Sequence, residues 1–370
     1  MTVPVTLSIY IARQFTSAVM GMLLFLSGLV SLFDFLELLR QSASHPNATF
    51  GLLSEIEGLR LPFIALQILP FAVLLGGVLS FWRLTRSSEL IVARAAGVSA
   101  WEFLAAPTVS ATLLGLVAIT LGSPLSSVMF ARAEALDNIF LQSGGGPLAL
   151  VGGQLWLRQS DHVLTPKGVA IIHAQGVALQ GKDLTARDVS VFRLDATDRL
   201  LSRIEATKAV LHQGDWVLHG ARTIRPEQLP QPVSEFTLPT DLTVARVQES
   251  FASPQTLSLW QLPGFIRLLD RSGFSTIRHR LHFQSLLALP LLCATMSLVA
   301  AGFSMRPARR GGVAQMIAGG VSAGFALFTI SKIAEEFGQS GALPVVLAAW
   351  APAASGMMLA LALLLHMEDG

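Results

Sequence analysis

Of 370 residues, 52% are hydrophobic and only 14% carry a formal charge, against about a quarter in a soluble globular chain. That balance excludes an ordinary water-soluble domain and points to a polytopic membrane protein. A net charge of +2 favours no class of partner and no nucleic-acid-binding motif is present, while the single cysteine, Cys293, excludes an intramolecular disulfide and a cysteine-based metal site.

In chain order, six runs reach the roughly 20 apolar residues that a membrane-crossing helix needs. They are 15–33, 61–82, 103–122 with an extension toward 128, 283–305, 311–331 and 341–365. The first lacks a small-residue cleavage site after it, so no cleavable signal peptide is expected. Six crossings place both termini on one side. With the termini inside, the inner segments hold Arg13, Arg83, Arg86, Arg94, Arg306, Arg309 and Arg310, and the short outer loops hold Arg40, Arg60 and Lys332. The excess of Arg and Lys on the inner side puts the termini in the cytoplasm and the long insert outside.

The polar connection after the second span reads Arg86-Ser-Ser88-Glu89-Leu90-Ile-Val-Ala-Arg94-Ala-Ala-Gly97. It has the marks of a short helix over about 87–96. Ser87 or Ser88 serves as N-cap, Glu89 sits in the positive first turn, Arg94 in the last turn, and Gly97 just past the end. Ser99-Ala-Trp-Glu102 is a capping box that starts the third span. Two readings stand: a cytoplasmic element made to be gripped, or an amphipathic turn resting on the bilayer.

The insert, about 131–282, opens with the hinge Gly144-Gly145-Gly146-Pro147 and continues in short alternating segments. Strands are expected at 154–158, 169–173, 188–194, 205–211 and 216–219, forming an all-β sandwich or jelly-roll-like domain. Pro226, Pro230, Pro232 and Pro239 mark an extended, poorly paired exit. At 263–271 helical character returns, with Phe265, Ile266, Leu268 and Leu269 on one face and Arg267, Asp270 and Arg271 on the other. An interfacial helix at the outer membrane surface is expected there. The run Gly176 to Asp183 nearly matches a phosphate-binding loop, but Asp183 stands where Ser or Thr is required, so a β-turn is the reading. None of the eight histidines shows metal-ligand spacing; His212 and His219 flank one hairpin as surface residues. No nucleophile elbow occurs, and the chain reads as non-catalytic, with no metal or cofactor of its own.

Small residues mark the membrane part. Gly319, Gly320 and Gly324 make one close-packing face on span five, and Gly21 and Gly28 share a side of span one. Static internal packing and contact with a partner subunit are both open. Lys332 and Glu336, four apart, are expected to pair.

Tyr10-Ile-Ala-Arg13 before span one, the Arg86–Gly97 pattern after span two, and a β-rich insert between two sets of three spans together resemble the lipopolysaccharide export permeases of the LptF/LptG family. Leu155-Trp156-Leu157-Arg158 and Arg278-His-Arg280-Leu-His282 resemble the LptG branch more than the LptF branch. The resemblance covers essentially the whole chain. It implies an α-helical polytopic membrane protein of six transmembrane helices, with a periplasmic all-β jelly-roll-like domain inserted between helices 3 and 4. The parts would be 1–130 (helices 1–3 and the coupling helix), 131–260 (β domain) and 261–370 (interfacial helix and helices 4–6).

The function implied is that of a permease subunit of an ABC transporter in the bacterial inner membrane. It would extract lipopolysaccharide from the periplasmic leaflet and pass it toward the outer membrane. The implied partners are an LptF-type permease in a heterodimer, an LptB ATPase dimer that binds ATP and Mg, LptC, and lipopolysaccharide itself. Carried over by position, Ser88, Glu89 and Leu90 would sit in a groove of the ATPase, flanked by Arg86 and Arg94 and closed by Gly97. Phe25, Phe33, Phe325 and Phe328 are candidate cavity-wall residues. Arg40, Arg60, Arg278 and Arg280 are candidates for anionic head groups, although the outer ends of spans one and two hold Asp34 and Phe63 where the family often carries basic residues. A lipoprotein or peptide exporter permease and a membrane scaffold are the rival readings.

Overall fold

The computed structural model describes residues 5–42, 49–87, 89, 99–140, 149–151, 154–161, 168–180, 183–195, 199–212, 214–225, 229–240, 253–271, 275–304 and 313–368. The chain divides into a helical unit (Met1–Leu141, Gln255–Leu262 and Ile277–Gly370) and a β unit (Gln142–Pro254 and Pro263–Thr276).

The helical unit contains α1 (Val5–Ser42), α2 (Phe50–Arg86), α3 (Ala100–Val117) and α4 (Ser123–Phe140), the last two joined through a π-helical turn at Ala118–Gly122. It resumes after the β unit with α6 (Ile277–Ser304), α7 (Val313–Gln339) and α8 (Val345–Glu368). Among the described residues five helices are long and apolar enough to cross a membrane: Thr6–Ser42, Phe50–Arg86, Trp101–Asp137, Ile277–Ser304 and Val345–His366. The sixth expected crossing falls on α7, whose 27 residues reach about 40 Å at 1.5 Å each but which is not among those five.

Three helices are much longer than their apolar runs. α2 has 37 residues, about 55 Å, against a hydrocarbon layer of about 30 Å. The charges expected to lie in loops therefore sit on helices, where they pair across the bundle. Arg60 bridges Asp34 on α1 (3.1 Å) and Asp137 on α4 (3.4 Å), and Arg132 meets Glu55 at 3.1 Å. Beneath them Leu38, Leu53, Ile56 and Ala133 form a small dry cluster. The β domain accordingly starts after residue 141 rather than at 131, because 131–140 continue α4 and pack on α2.

The main core gathers α1, α2, α3, α6 and α8 around Ile11, Phe15, Val73, Phe81, Phe103, Met296 and Ala300. α2 is its hub. Close approach depends on glycine: a Cβ at Gly76 would lie 2.5 Å from Val19 Cα, and one at Gly115 would lie 2.6 Å from Pro290 Cα. On α7, Gly319 and Gly320 face Phe303 and Gly324 faces Leu74. The small face of span five is thus used in packing inside the chain, whereas Cβ atoms at Gly21 and Gly28 would meet nothing within 4 Å. Lys332 pairs with Glu335 (2.9 Å), not Glu336, and its ammonium lies over the Phe328 ring. Glu335 and Glu336 lie within α7; the turn to α8 comes later, at Gly341, whose φ of +77° suits glycine.

In the β unit, β1 (Ala149–Val151), β2 (Gln154–Ser160), β3 (Val169–Gln180), β4 (Asp183–Leu194), β5 (Leu200–His212), β6 (Asp215–Ile224) and β7 (Gln231–Pro239) form one antiparallel sheet in the order β1-β2-β3-β4-β5-β6-β7. Every expected strand lies within β2–β6. The sheet is a meander whose curl, rather than a Greek-key crossing, encloses the core. Flat, β4 and β7 would stand about 14 Å apart, yet the Arg193 guanidinium lies 5.4 Å from the Phe236 ring centre. Gln159 on β2 likewise donates to the Pro239 carbonyl (3.0 Å) and accepts from Thr240 (2.6 Å).

The proline-rich exit is a paired strand, β7. β7 is the terminal strand of the sheet, the position at which prolines are tolerated within sheets. Gln180 pairs with Asp183, so the loop-like run leads from one strand into the next and not into a helix. His212 and His219 are exposed beside Asp183 (2.8 Å) and Glu235 (3.7 Å).

The amphipathic helix α5 (Leu262–Arg271) turns part of its apolar face toward protein. Leu269 is 3% exposed and, with Phe265, packs on the sheet's apolar interior. Its apolar face is satisfied by Leu155, Ile172, Trp216 and their neighbours, because a curled sheet needs a cover and α5 carries the matching stripe.

One ion pair is buried within this core: Arg193 and Asp161, 7% and 1% exposed, joined by bonds of 2.5 and 3.0 Å. Removing one partner of such a pair strands a charge. Asp161→Ala is expected to destabilise the β unit by about 3–5 kcal/mol, while Asp161→Leu with Arg193→Met recovers most of the loss. Limited proteolysis of the full chain in detergent, scored at sites in 142–254, measures both.

Candidate functional site

The segment between α2 and α3 begins and ends on defined caps. At the α2 end the Ser87 N–H and hydroxyl both donate to the Arg83 carbonyl, at 2.9 and 3.0 Å. Ser87 therefore closes α2 instead of opening the next helix, its hydroxyl being committed to the last turn. Arg86 is exposed and lies with its guanidinium 5.4 Å from the Trp82 ring centre. Glu89 is helical and half-buried. Ser88, Leu90, Arg94 and Gly97 lie outside the described residues. At the α3 end the expected capping box is present: the Glu102 N–H donates to Ser99 Oγ and the Ser99 N–H to Glu102 Oε2, both at 3.1 Å.

Both caps are rooted in the bundle. Phe81 and Leu84, the last core residues of α2, are each 1% exposed. Phe81 packs between Phe15 of α1 (6.1 Å between ring centres) and Phe103 of α3 (6.5 Å). Thr85 donates to the Phe81 carbonyl at 2.8 Å and stands 3.5 Å from the carbonyl of Ser304, the last residue of α6. A displacement applied at Arg86–Glu89 thus meets α1, α3 and α6 within one helical turn. Interiors packed at this density transmit displacement instead of absorbing it. Thr85 and Ser304 carry no local sequence signal, since they lie 219 residues apart and meet only in the fold.

The aromatic candidates divide. Phe25, Phe33 and Phe325 are 64%, 63% and 60% exposed on their helices. Phe328 is half-buried, with Phe71 of α2 on one side (6.4 Å) and the Lys332 ammonium on the other (5.8 Å).

The arginines divide as well. Arg40 is exposed and held to Glu37 on its own helix at 2.7 Å. Arg60 is largely enclosed and already faces two carboxylates, Asp34 and Asp137. Asp137 has no sequence signal as a partner because it comes 77 residues later. Ser31 donates to the buried Glu57 one turn away on the same helix pair. Arg278 and Arg280 are both exposed at the start of α6.

A family model described as lipopolysaccharide export system permease LptF/LptG matches residues 9–366. The lipopolysaccharide export system permease protein LptG of Haemophilus influenzae is 25% identical over 360 residues, 94% of each chain. The protein of the same name from Escherichia coli K12 is 25% identical over 371 residues, covering 96% of this chain and 97% of its own.

Proposed function

The chain belongs to the LptF/LptG family of lipopolysaccharide export permeases, and from that premise we propose how its helical unit does the work. The chain is a multi-pass membrane permease subunit of a lipopolysaccharide export ABC transporter. Its work is transport: it moves a lipid and leaves nucleotide hydrolysis to another subunit.

The observation that carries the mechanism is the rooting of the Arg86–Ser99 segment at one end of α2. In this reading the segment faces the cytoplasm, where Arg86, Ser88, Glu89, Leu90, Arg94 and Gly97 sit in a groove of an LptB-type ATPase dimer that binds ATP and Mg. A second, LptF-type permease completes the membrane part. Motion enters at Glu89, moves α2, and reaches α1, α3 and α6 through Phe81, Leu84 and Thr85.

A lipid with several acyl chains loses about 0.8 kcal/mol for each CH₂ brought out of an apolar environment, so extraction requires an apolar wall that replaces those contacts. Phe25, Phe33 and Phe325 supply that wall, with Phe328 at its edge. Arg278 and Arg280 meet the anionic head group. Arg40 and Arg60 are the other candidates, and each already faces a carboxylate. The β unit then lies in the periplasm and passes the lipid on toward LptC.

Depleting the protein tests the activity. Newly made lipopolysaccharide is expected to accumulate at the inner membrane and to fall several-fold at the outer membrane. Unchanged lipopolysaccharide delivery, with lipoprotein held at the inner membrane instead, would support the rival exporter reading.

A further inference from the structure

On its way back into the helical unit the chain makes a tight turn over 258–261. The Gln261 and Leu262 N–H groups both donate to the Ser258 carbonyl at 3.0 Å, and Ser258 donates its N–H (3.0 Å) and hydroxyl (3.1 Å) to Gln261 Oε1. The turn is tied to the helices by the Leu259 N–H, which donates to Ser123 Oγ at 3.1 Å in a buried position. Leu259 and Leu262 are buried, at 6% and 0%, yet Trp260 between them is 67% exposed. A turn so constrained presents its indole outward in a fixed place.

The depth of that place follows from α3. Its N-cap is Ser99 and its apolar run starts at Phe103. Twenty residues at 1.5 Å each cover about 30 Å, the thickness of the hydrocarbon layer, and end at Ser123. Ser123 also follows the π-helical turn, and with Ser126 and Ser127 it is one of three buried serines on the next two turns. Beside it Leu121, Leu125 and Val128 share one helix face and are 71%, 58% and 68% exposed, an apolar surface that reaches this level and runs on into the boundary region beyond it. An indole, apolar in body with one polar N–H, is the side chain that favours the boundary between head groups and acyl chains.

We propose that Trp260 is a membrane-interface anchor, seated in the head-group boundary of the leaflet on the β-unit side, which through Ser123 fixes the depth of the α3–α4 junction. The occupant of this surface is bilayer phospholipid. The proposal rests on α3 crossing the membrane and is independent of which lipid is transported.

The test uses the full chain carrying Cys293→Ala, reconstituted in phosphatidylethanolamine–phosphatidylglycerol vesicles, with a nitroxide on Trp260→Cys. Oxygen and a water-soluble nickel complex then report depth. The label is expected to show intermediate access to both, between a label at Leu116 in mid-span and one at Leu229 in the β unit. Access equal to that at Leu229 overturns the proposal, and so does exclusion of both reagents, which would mean that protein covers the site. As a check free of labels, Trp260→Phe is expected to lose part of the tryptophan quenching by lipids brominated near the head group and none of that by lipids brominated at the chain ends. Unchanged quenching by the first kind also overturns it.

Discussion

A Glu89→Lys chain is expected to reach the membrane at normal levels and to fail in export. Glu89 is the described acidic residue of the α2–α3 segment, half-buried and two residues beyond the Ser87 cap. The substitution leaves the Phe81–Phe15–Phe103 packing intact, so the bundle has no reason to misfold. At an interface, reversing a charge that has a partner costs about 2–5 kcal/mol, which is 30-fold or more in affinity. Copurification of the ATPase with the permease should fall by that order, and lipopolysaccharide delivery with it. Arg86→Glu makes a useful comparison: Arg86 is exposed and already stacked on Trp82, so its reversal should weaken the association less. If the Glu89→Lys chain keeps both its ATPase and its export rate, the segment is not where force enters.

The second expectation separates two glycines of similar surroundings by sequence but opposite surroundings in space. Gly76→Val should destabilise the bundle by about 3 kcal/mol or more, at the upper end of overpacking costs, because its Cβ would meet the Val19 backbone at Cα (2.5 Å) and N (2.7 Å). Backbone atoms inside a helix have no rotamer to change, so α1 and α2 must separate along the seam that carries Phe15 and Val73. Gly21→Val, on α1 itself, should be neutral, since nothing lies within 4 Å of its Cβ. Gly324→Ala falls between them. Its Cβ would sit 1.9 Å from Leu74 Cδ2, but that atom is the end of a side chain that can turn away. Aggregation temperature in detergent and steady-state level in membranes rank the three. A Gly76→Val chain as stable as the parent would show that the α1–α2 seam tolerates separation.

The local features were legible in advance. Apolar run length marked the crossings, and alternation marked β2–β6. The Ser99–Glu102 cap was readable because a capping box is complete within four residues. What sequence reading misplaced shares one cause. Apolar run length measures how much of a helix suits hydrocarbon, not where the helix stops, so the extensions of α1, α2 and α4 went unseen. Paired charges at Asp34, Arg60 and Asp137 let those helices continue past the bilayer. The amphipathic stripe of α5 was read correctly as a stripe, but its covering surface was assigned to lipid when the sheet supplies it.

The sequence by itself therefore determined the membrane class, the order of helices, insert and helices, strands β2–β6 and the cap that starts α3. Each of these depends on hydrophobicity, hydrogen-bond capping or periodicity within a few turns of chain. Only the tertiary structure decided that Arg60 is shared by two carboxylates, that Thr85 meets Ser304, that Gly76 touches Val19 while Gly21 touches nothing, and that Trp260 is the residue left outside its turn. Those outcomes depend on which residues distant in sequence come into register, and no local pattern carries that information.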